Sequence, residues 1–134
     1  MKFLLKALLQ KSLSYLPYGF QINEQLRKKN VLKKVPFQTI LQSITQIDLL
    51  RDAGFSIENK TLLELGPGWK PIFGLIYKLM GVRKIILVDL SRLMTRDYFL
   101  LAVDDITGHY PQIINELENR NLPTENFQRN YKKL

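Results

Sequence analysis

Apolar residues recur at helical spacing through the first third of the chain. In residues 1–16, leucines lie three and four positions apart with lysines between them, which predicts an amphipathic basic helix. A second short helix is predicted from residue 21, ending near Asn30 or Lys34. A third is predicted within residues 36–55, because the apolar positions keep the helical period and Gly54 follows the last of them. Residues 1–58 are therefore predicted to form a helical N-terminal extension that packs on the rest of the chain.

The pattern changes at residue 59, where short apolar runs replace the helical period. Residues 61–65 predict a strand, residues 71–80 a helix, and residues 85–89 a second strand. The second run is continuously apolar, which is typical of a strand covered on both faces. A strand, a glycine loop, a helix and a strand form a βαβ unit, with two parallel strands and a right-handed crossover. The predicted fold class is therefore α/β, with a Rossmann-like βαβ unit preceded by helices.

The last 45 residues predict helices only. A helix is predicted over residues 91–106, followed by two shorter ones over residues 111–121 and 124–134. The residues of the first helix that are expected to face inward are Leu93, Phe99, Leu100 and Val103. Because no third strand is predicted, the sheet is expected to be incomplete.

Composition narrows the chemistry that the chain can perform. A length of 134 residues fits one domain with a real core, and an apolar fraction of 46% is ordinary for a globular protein. The absence of cysteine excludes disulfides, thiolate metal sites and cysteine nucleophiles. With a single histidine, no metal site is predicted. The lack of cysteine fits a reducing compartment, so we expect a cytoplasmic protein.

Positive charge is concentrated near the N-terminus. Residues 1–50 carry eight Lys and Arg against two Asp and Glu, a net charge of +6 out of the +8 of the whole chain. Such a surface fits a peripheral contact with nucleic acid or an anionic membrane, or it is an ordinary solvated helix face. The apolar run at the N-terminus is interrupted by Lys6, so neither a secretory signal nor a transmembrane segment is predicted.

The stretch LLELGPGWKP, residues 62–71, carries the candidate chemistry. In a βαβ unit the loop after the first strand faces the ligand crevice, and Gly66 and Gly68 would let backbone approach a ligand there. Asp89 follows the second strand 23 residues after Gly66, close to the distance at which an acidic residue binds ribose hydroxyls. The alternatives are a plain turn for the glycines, a helix cap or solvated strand end for Asp89, and a solvated strand end for Glu64.

Two common nucleotide motifs fit this loop poorly. A Walker loop needs Gly-Lys-Ser/Thr, which the chain lacks. The dinucleotide pattern GxGxxG needs a small residue where Pro71 stands. A protein that binds a nicotinamide dinucleotide nevertheless remains an alternative.

The same loop, followed by GVRKIILVDLS, resembles the first two motifs of the class I S-adenosylmethionine-dependent methyltransferases. Glu64, Gly66, Pro67 and Gly68 fill the positions of the Glu-x-Gly-Pro-Gly pattern found in that family, and the match covers about residues 59 to 95. The resemblance implies that this loop lies against the methionine half and the ribose of S-adenosylmethionine. It further implies that Asp89 binds the ribose hydroxyls and that Leu90 flanks the adenine.

The match has one departure and leaves several roles open. Lys70 stands where the family usually has a third glycine, and we expect it to be solvated. Trp69 is expected to pack over the loop, and His109 to lie on the surface between helices.

The resemblance implies a methyltransferase whose cofactor-binding part begins at residue 59 and continues to residue 134. The later strands of that family hold the methyl acceptor and any catalytic base, and none is predicted here. This chain is therefore expected to be the N-terminal part of a longer enzyme and to be inactive alone, with its acceptor and catalytic residues undefined. The alternative is a non-catalytic remnant, or a basic helical module that binds a partner, nucleic acid or membrane.

Overall fold

The computed structural model describes residues 32–134 and, before them, Lys11, Tyr15 and Tyr18. The chain divides into two compact units, Met1–Lys33 and Lys34–Leu134, and the second unit contains the elements described below. The helix predicted over residues 1–16 lies outside the described residues apart from Lys11 and Tyr15, and so does the second predicted helix as far as residue 31. Residues 32–34 are described and are not helical, so the second helix does not extend to Lys34. Among the described residues, no helix is both long enough and apolar enough to cross a membrane.

The second unit is a mixed α/β structure, as the sequence predicts. Its strands and helices alternate at first and are then followed by helices alone. In chain order they are α1 (Phe37–Asp52), β1 (Thr61–Leu65), α2 (Ile72–Leu79), β2 (Lys84–Val88), α3 (Arg96–Gly108), α4 (Tyr110–Asn119) and α5 (Thr124–Tyr131).

The two strands are parallel neighbours, which confirms the predicted βαβ unit. Thr61 pairs with Lys84 at the start of the ladder, and Leu65 pairs with Val88 at its end. Strand β1 has the predicted bounds, and β2 begins one residue earlier than predicted and ends before Asp89. Because parallel strands end at the same edge of a sheet, the loop after β1 and Asp89 after β2 lie side by side.

The prediction that β2 is covered on both faces was wrong. Side chains alternate along both strands, so that Leu62, Glu64, Ile85 and Leu87 are half-buried while their neighbours are exposed. The exposed set, which we call the open sheet face, consists of Leu63, Leu65, Ile86 and Val88. Leu65 is 74% exposed and Val88 is 48% exposed. A continuous apolar run carries the same residues whether one face or both are covered, so the sequence could not distinguish the two cases.

The hydrophobic core lies on the other side of the sheet, among the helices. Helix α1 packs on α2, so residues 37–52 of the predicted N-terminal extension do pack against the βαβ unit. The domain boundary predicted at residue 58 stays a prediction. The fully buried side chains of the core include Ile40 and Ile44 of α1, Ile76 and Leu79 of α2, Ile106 of α3, Ile113 and Leu117 of α4, and Phe127 of α5.

Helix α3 turns a partly different face inward from the one predicted, although Val103 packs against the core as expected. Phe99 and Leu100 are exposed, whereas Ala102, Asp105 and Ile106 are buried. The helix begins at Arg96, where the Thr95 side chain accepts a hydrogen bond from the Tyr98 N–H. Asp105 can be buried on this face because it forms an ion pair with Lys70, described below. A prediction based on apolar residues alone does not identify a buried aspartate.

Candidate site at the carboxyl ends of the strands

Two glycines give the loop after β1 its backbone conformation. Gly66 has a φ of +70° and Gly68 a φ of +67°, in the left-handed region that side chains disfavour. Among the described residues, no atom lies within 4 Å of a Cβ atom added at either position. The conformation therefore calls for glycine, and no described atom fills the space beside either residue.

Asp89 is joined directly to this loop. The Gly66 N–H donates to the Val88 carbonyl at 2.7 Å, which extends the parallel ladder by one step. The Gly68 N–H then donates to Asp89 Oδ2 at 3.0 Å, and the Ser91 N–H approaches Oδ1 at 3.4 Å. A carboxylate has about four lone-pair sites, so these contacts leave Asp89 with capacity for further donors. The carboxylate is exposed and lies at the edge of the open loop.

Pro67 and Leu90 complete the set of residues predicted to line this site. Pro67 is half-buried between the two glycines. Leu90 is fully exposed just beyond Asp89, so its side chain is available to an incoming ring. Beyond the glycines, Trp69 packs edge-on against Tyr98, with ring centroids 5.1 Å apart. Apolar residues therefore adjoin in sequence both partners of the Gly68–Asp89 hydrogen bond.

Lys70 is buried, so the expectation of a solvated lysine was wrong. Its ammonium nitrogen lies 2.7 Å from Asp105 Oδ2, and the side chains are only 8% and 3% exposed. Because Lys70 follows the loop and Asp105 lies in the last turn of α3, this ion pair ties the end of the loop to the helical layer. Nothing in the local sequence marks the pair, since its members are 35 positions apart.

The side chain of Glu64 lies on the α2 side of the sheet. Its Oε2 atom is buried and has no hydrogen-bond partner among the described residues. Burial raises the pKa of this carboxyl group. The Gly74 N–H acts in the opposite direction and lowers the pKa in part, although it forms no regular hydrogen bond to Oε2. Glu64 therefore lies close to the loop in sequence, but its carboxylate lies on the α2 side of the sheet. The Asp89 carboxylate, in contrast, is exposed.

A cleft of about 330 Å³ opens beside Glu64. It is lined by Gln46, Leu62, Glu64, Leu65, Gly66, Phe73 and Tyr77. The Tyr77 hydroxyl donates to Gln46 Oε1 at 3.4 Å, and burial, followed by the charge of Glu64, raises the pKa of Tyr77. Sequence reasoning missed Gln46, Phe73 and Tyr77, and the only available signal was a tyrosine hydroxyl within a largely apolar helix.

His109 lies away from this site, between α3 and α4. Its ring nitrogens contact Gln112 Oε1 at 3.1 Å and the Val35 carbonyl at 3.0 Å, and its ring packs on Phe37. The described residues contain no group of three His, Cys, Asp or Glu side chains that could hold a metal ion.

Comparisons with known proteins add no relative. A scan against protein-family models found no match, and searches of curated proteins and of solved structures found none either. Function is therefore inferred from the sequence motifs and from the geometry of the site.

Proposed function

We propose that the chain is the cofactor-binding part of an S-adenosylmethionine-dependent methyltransferase with a Rossmann-like sheet. The observation that carries the proposal is the junction of an open glycine loop with Asp89 at the carboxyl ends of two parallel strands. Ligands of open parallel sheets bind at this edge. The sequence resemblance over residues 59–95 supports S-adenosylmethionine in particular.

Each residue of the loop has a role in this proposal. Gly66 and Gly68 leave space for the methionine half and the ribose to lie against backbone. The Asp89 carboxylate accepts from the ribose hydroxyls with the lone pairs that Gly68 and Ser91 do not use. Leu90 covers one face of the adenine. Methyl transfer then depends mainly on holding an acceptor in line with the sulfonium methyl group, and no residue of this chain is assigned to that step.

An NMR titration of the ¹⁵N-labelled chain with S-adenosylmethionine tests the proposal. We expect weak binding, with a Kd of about 1 mM or about 4 kcal/mol of binding free energy, because the described residues form only two strands of a sheet. The amides of Gly66, Gly68, Asp89 and Leu90 should shift most. No shift at these amides at about ten times that concentration would contradict the proposal, as would a loop that responds to NAD⁺ at lower concentrations than to S-adenosylmethionine.

Two variants separate ligand contact from loop structure. Gly68→Asn keeps a residue type that tolerates positive φ but fills the space of the ligand, so the fold should persist while binding is lost. Asp89→Asn keeps an acceptor for the Gly68 N–H but loses the charge, and it should weaken binding about tenfold or more. Asp104→Asn, which changes an exposed aspartate of α3, serves as the matched control.

A further inference from the structure

Gly74 makes room for the Glu64 carboxylate. A Cβ atom at position 74 would lie 2.8 Å from Glu64 Oε2, closer than such atoms approach one another. The same Cβ would also crowd Ile85 Cγ2 at 3.3 Å and Leu87 Cδ2 at 3.4 Å. Glycine is less favourable than alanine inside a helix, and Gly74 belongs to α2. The sequence thus combines an unfavourable helix residue with a poorly solvated acid at the place where α2 lies close to the sheet.

The cleft beside this carboxylate has the chemistry of a cation site. Glu64 is the one charged residue in its described lining, and the aromatic residues Phe73 and Tyr77 form part of the wall. Helix α1 contributes only the neutral amide of Gln46, and the sheet contributes apolar side chains. Glu64 is half-buried in the wall of the cleft, where its charge is incompletely solvated, and a ligand that brings positive charge would offset that cost. Aromatic faces attract ammonium groups in the same way.

We infer that the cleft lined by Glu64, Phe73 and Tyr77 binds a small organic ammonium compound, with Glu64 as the counterion. Its volume of about 330 Å³ is sufficient for an amine that carries a ring or a short apolar chain. A metal ion fits less well, because one carboxylate supplies far fewer oxygen ligands than hard cations require. Gly66 borders both this cleft and the proposed cofactor loop, whereas Asp89 does not line the cleft, so substitution of Asp89 tests the loop separately from the cleft.

Benzylammonium chloride and benzyl alcohol are matched probes for this cleft, since they share a ring and differ in charge. In an NMR titration of the full chain, we expect both to shift the Phe73 and Tyr77 amides, with the ammonium binding about tenfold more tightly. Glu64→Gln should remove this difference, so that the two probes bind alike. Equal affinity in the wild type, persistence of the difference in Glu64→Gln, or no shift in the cleft at about 20 mM probe would overturn the inference.

Two further variants keep the outcome interpretable. Phe73→Leu should weaken the ammonium several-fold more than the alcohol, because it removes an aromatic face and keeps an apolar wall. Asp89→Asn should leave both affinities unchanged while weakening S-adenosylmethionine, which distinguishes failure of this site from failure of the proposed cofactor site. If Asp89→Asn abolishes the preference for the ammonium as strongly as Glu64→Gln does, the cation lies at the loop and the inference is wrong.

Discussion

At the scale of single residues, Glu64 and Asp89 show how the same carboxyl chemistry is placed in two environments. Asp89 is exposed and accepts from backbone N–H groups of the loop. Glu64 points toward α2, where Oε2 is buried and desolvation raises the pKa of the group. Glu64 thus places an acid in β1 where an apolar side chain would pack more favourably. Poorly solvated acids of this kind are found more often at binding sites than in cores.

The raised pKa of Glu64 predicts a pH dependence of stability with a definite sign. A folded pKa above the ordinary value of 4.5 means that the folded state holds the proton more firmly than the unfolded chain. Its contribution to the free energy of unfolding is therefore complete below about pH 4.5 and is lost as the pH rises through the folded pKa. Glu64→Gln cannot ionise, so its stability relative to the wild type should increase between pH 4 and pH 7.

Urea denaturation of the wild type and of Glu64→Gln across this pH range measures the difference in their free energies of unfolding. The contributions of the other titrating groups largely cancel in this difference. A difference that stays constant from pH 4 to pH 7 would show that Glu64 ionises freely. Asp104→Asn, at an exposed position, should show no comparable trend.

At the scale of elements, the loop is held between the sheet and helix α3. Its first residue continues the strand ladder through the Gly66 N–H, and its end is fixed by the buried pair of Lys70 and Asp105. The two glycines in between keep their left-handed backbone without side-chain packing. A loop with both ends anchored is pre-organised for a ligand, which lowers the entropic cost of binding.

This anchoring predicts a large loss of stability when Asp105 is removed. Asp105→Ala deprives the buried Lys70 of the carboxylate beside it, and breaking a buried pair in this way costs about 3–5 kcal/mol. Asp104→Ala changes the adjacent exposed aspartate and should cost less than about 0.5 kcal/mol. Chemical denaturation of both variants makes the comparison, and a loss below about 1 kcal/mol in Asp105→Ala would contradict it.

A double variant distinguishes the ion pair from simple packing. Lys70→Met with Asp105→Leu replaces both charges by apolar groups and should recover most of the stability, because neither position then carries a buried charge. If the double variant is as unstable as Asp105→Ala, the loss comes from the shape of the site and not from the buried charge.

The sequence predicted the bounds of the helices and strands better than it predicted which of their side chains are buried. Glycines and apolar runs marked β1, α2 and β2 to within a residue at each end, because strand and helix periods are local properties. Whether Ile86 and Val88 are covered depends on distant helices, and so does the burial of Lys70 and Asp105. The proximity of the loop to Asp89 could be predicted, since parallel strands end at one edge. The cleft beside Glu64 could not, because α1 and α2 form it together.

At the scale of the whole unit, the helices described here leave one face of the sheet to solvent. The buried side chains belong largely to the helices, whereas Leu63, Leu65, Ile86 and Val88 on the open sheet face lie next to the fully exposed Leu90. Parallel sheets are usually covered on both faces. Adjacent exposed apolar residues of this kind are uncommon on the surface of a globular protein and mark a place where apolar molecules bind.

The open sheet face predicts that the native protein binds the dye 8-anilinonaphthalene-1-sulfonate, whose fluorescence rises on apolar surfaces. Leu65→Lys combined with Val88→Lys should remove most of the increase, because these two side chains point outward from the same end of paired strands. Stability should change little, since neither side chain is buried. Leu100→Lys alters an exposed leucine of α3 and serves as the control, with dye binding close to that of the wild type. If the double variant binds the dye as strongly as the wild type, the fluorescence does not originate at the sheet, and the face is covered in solution.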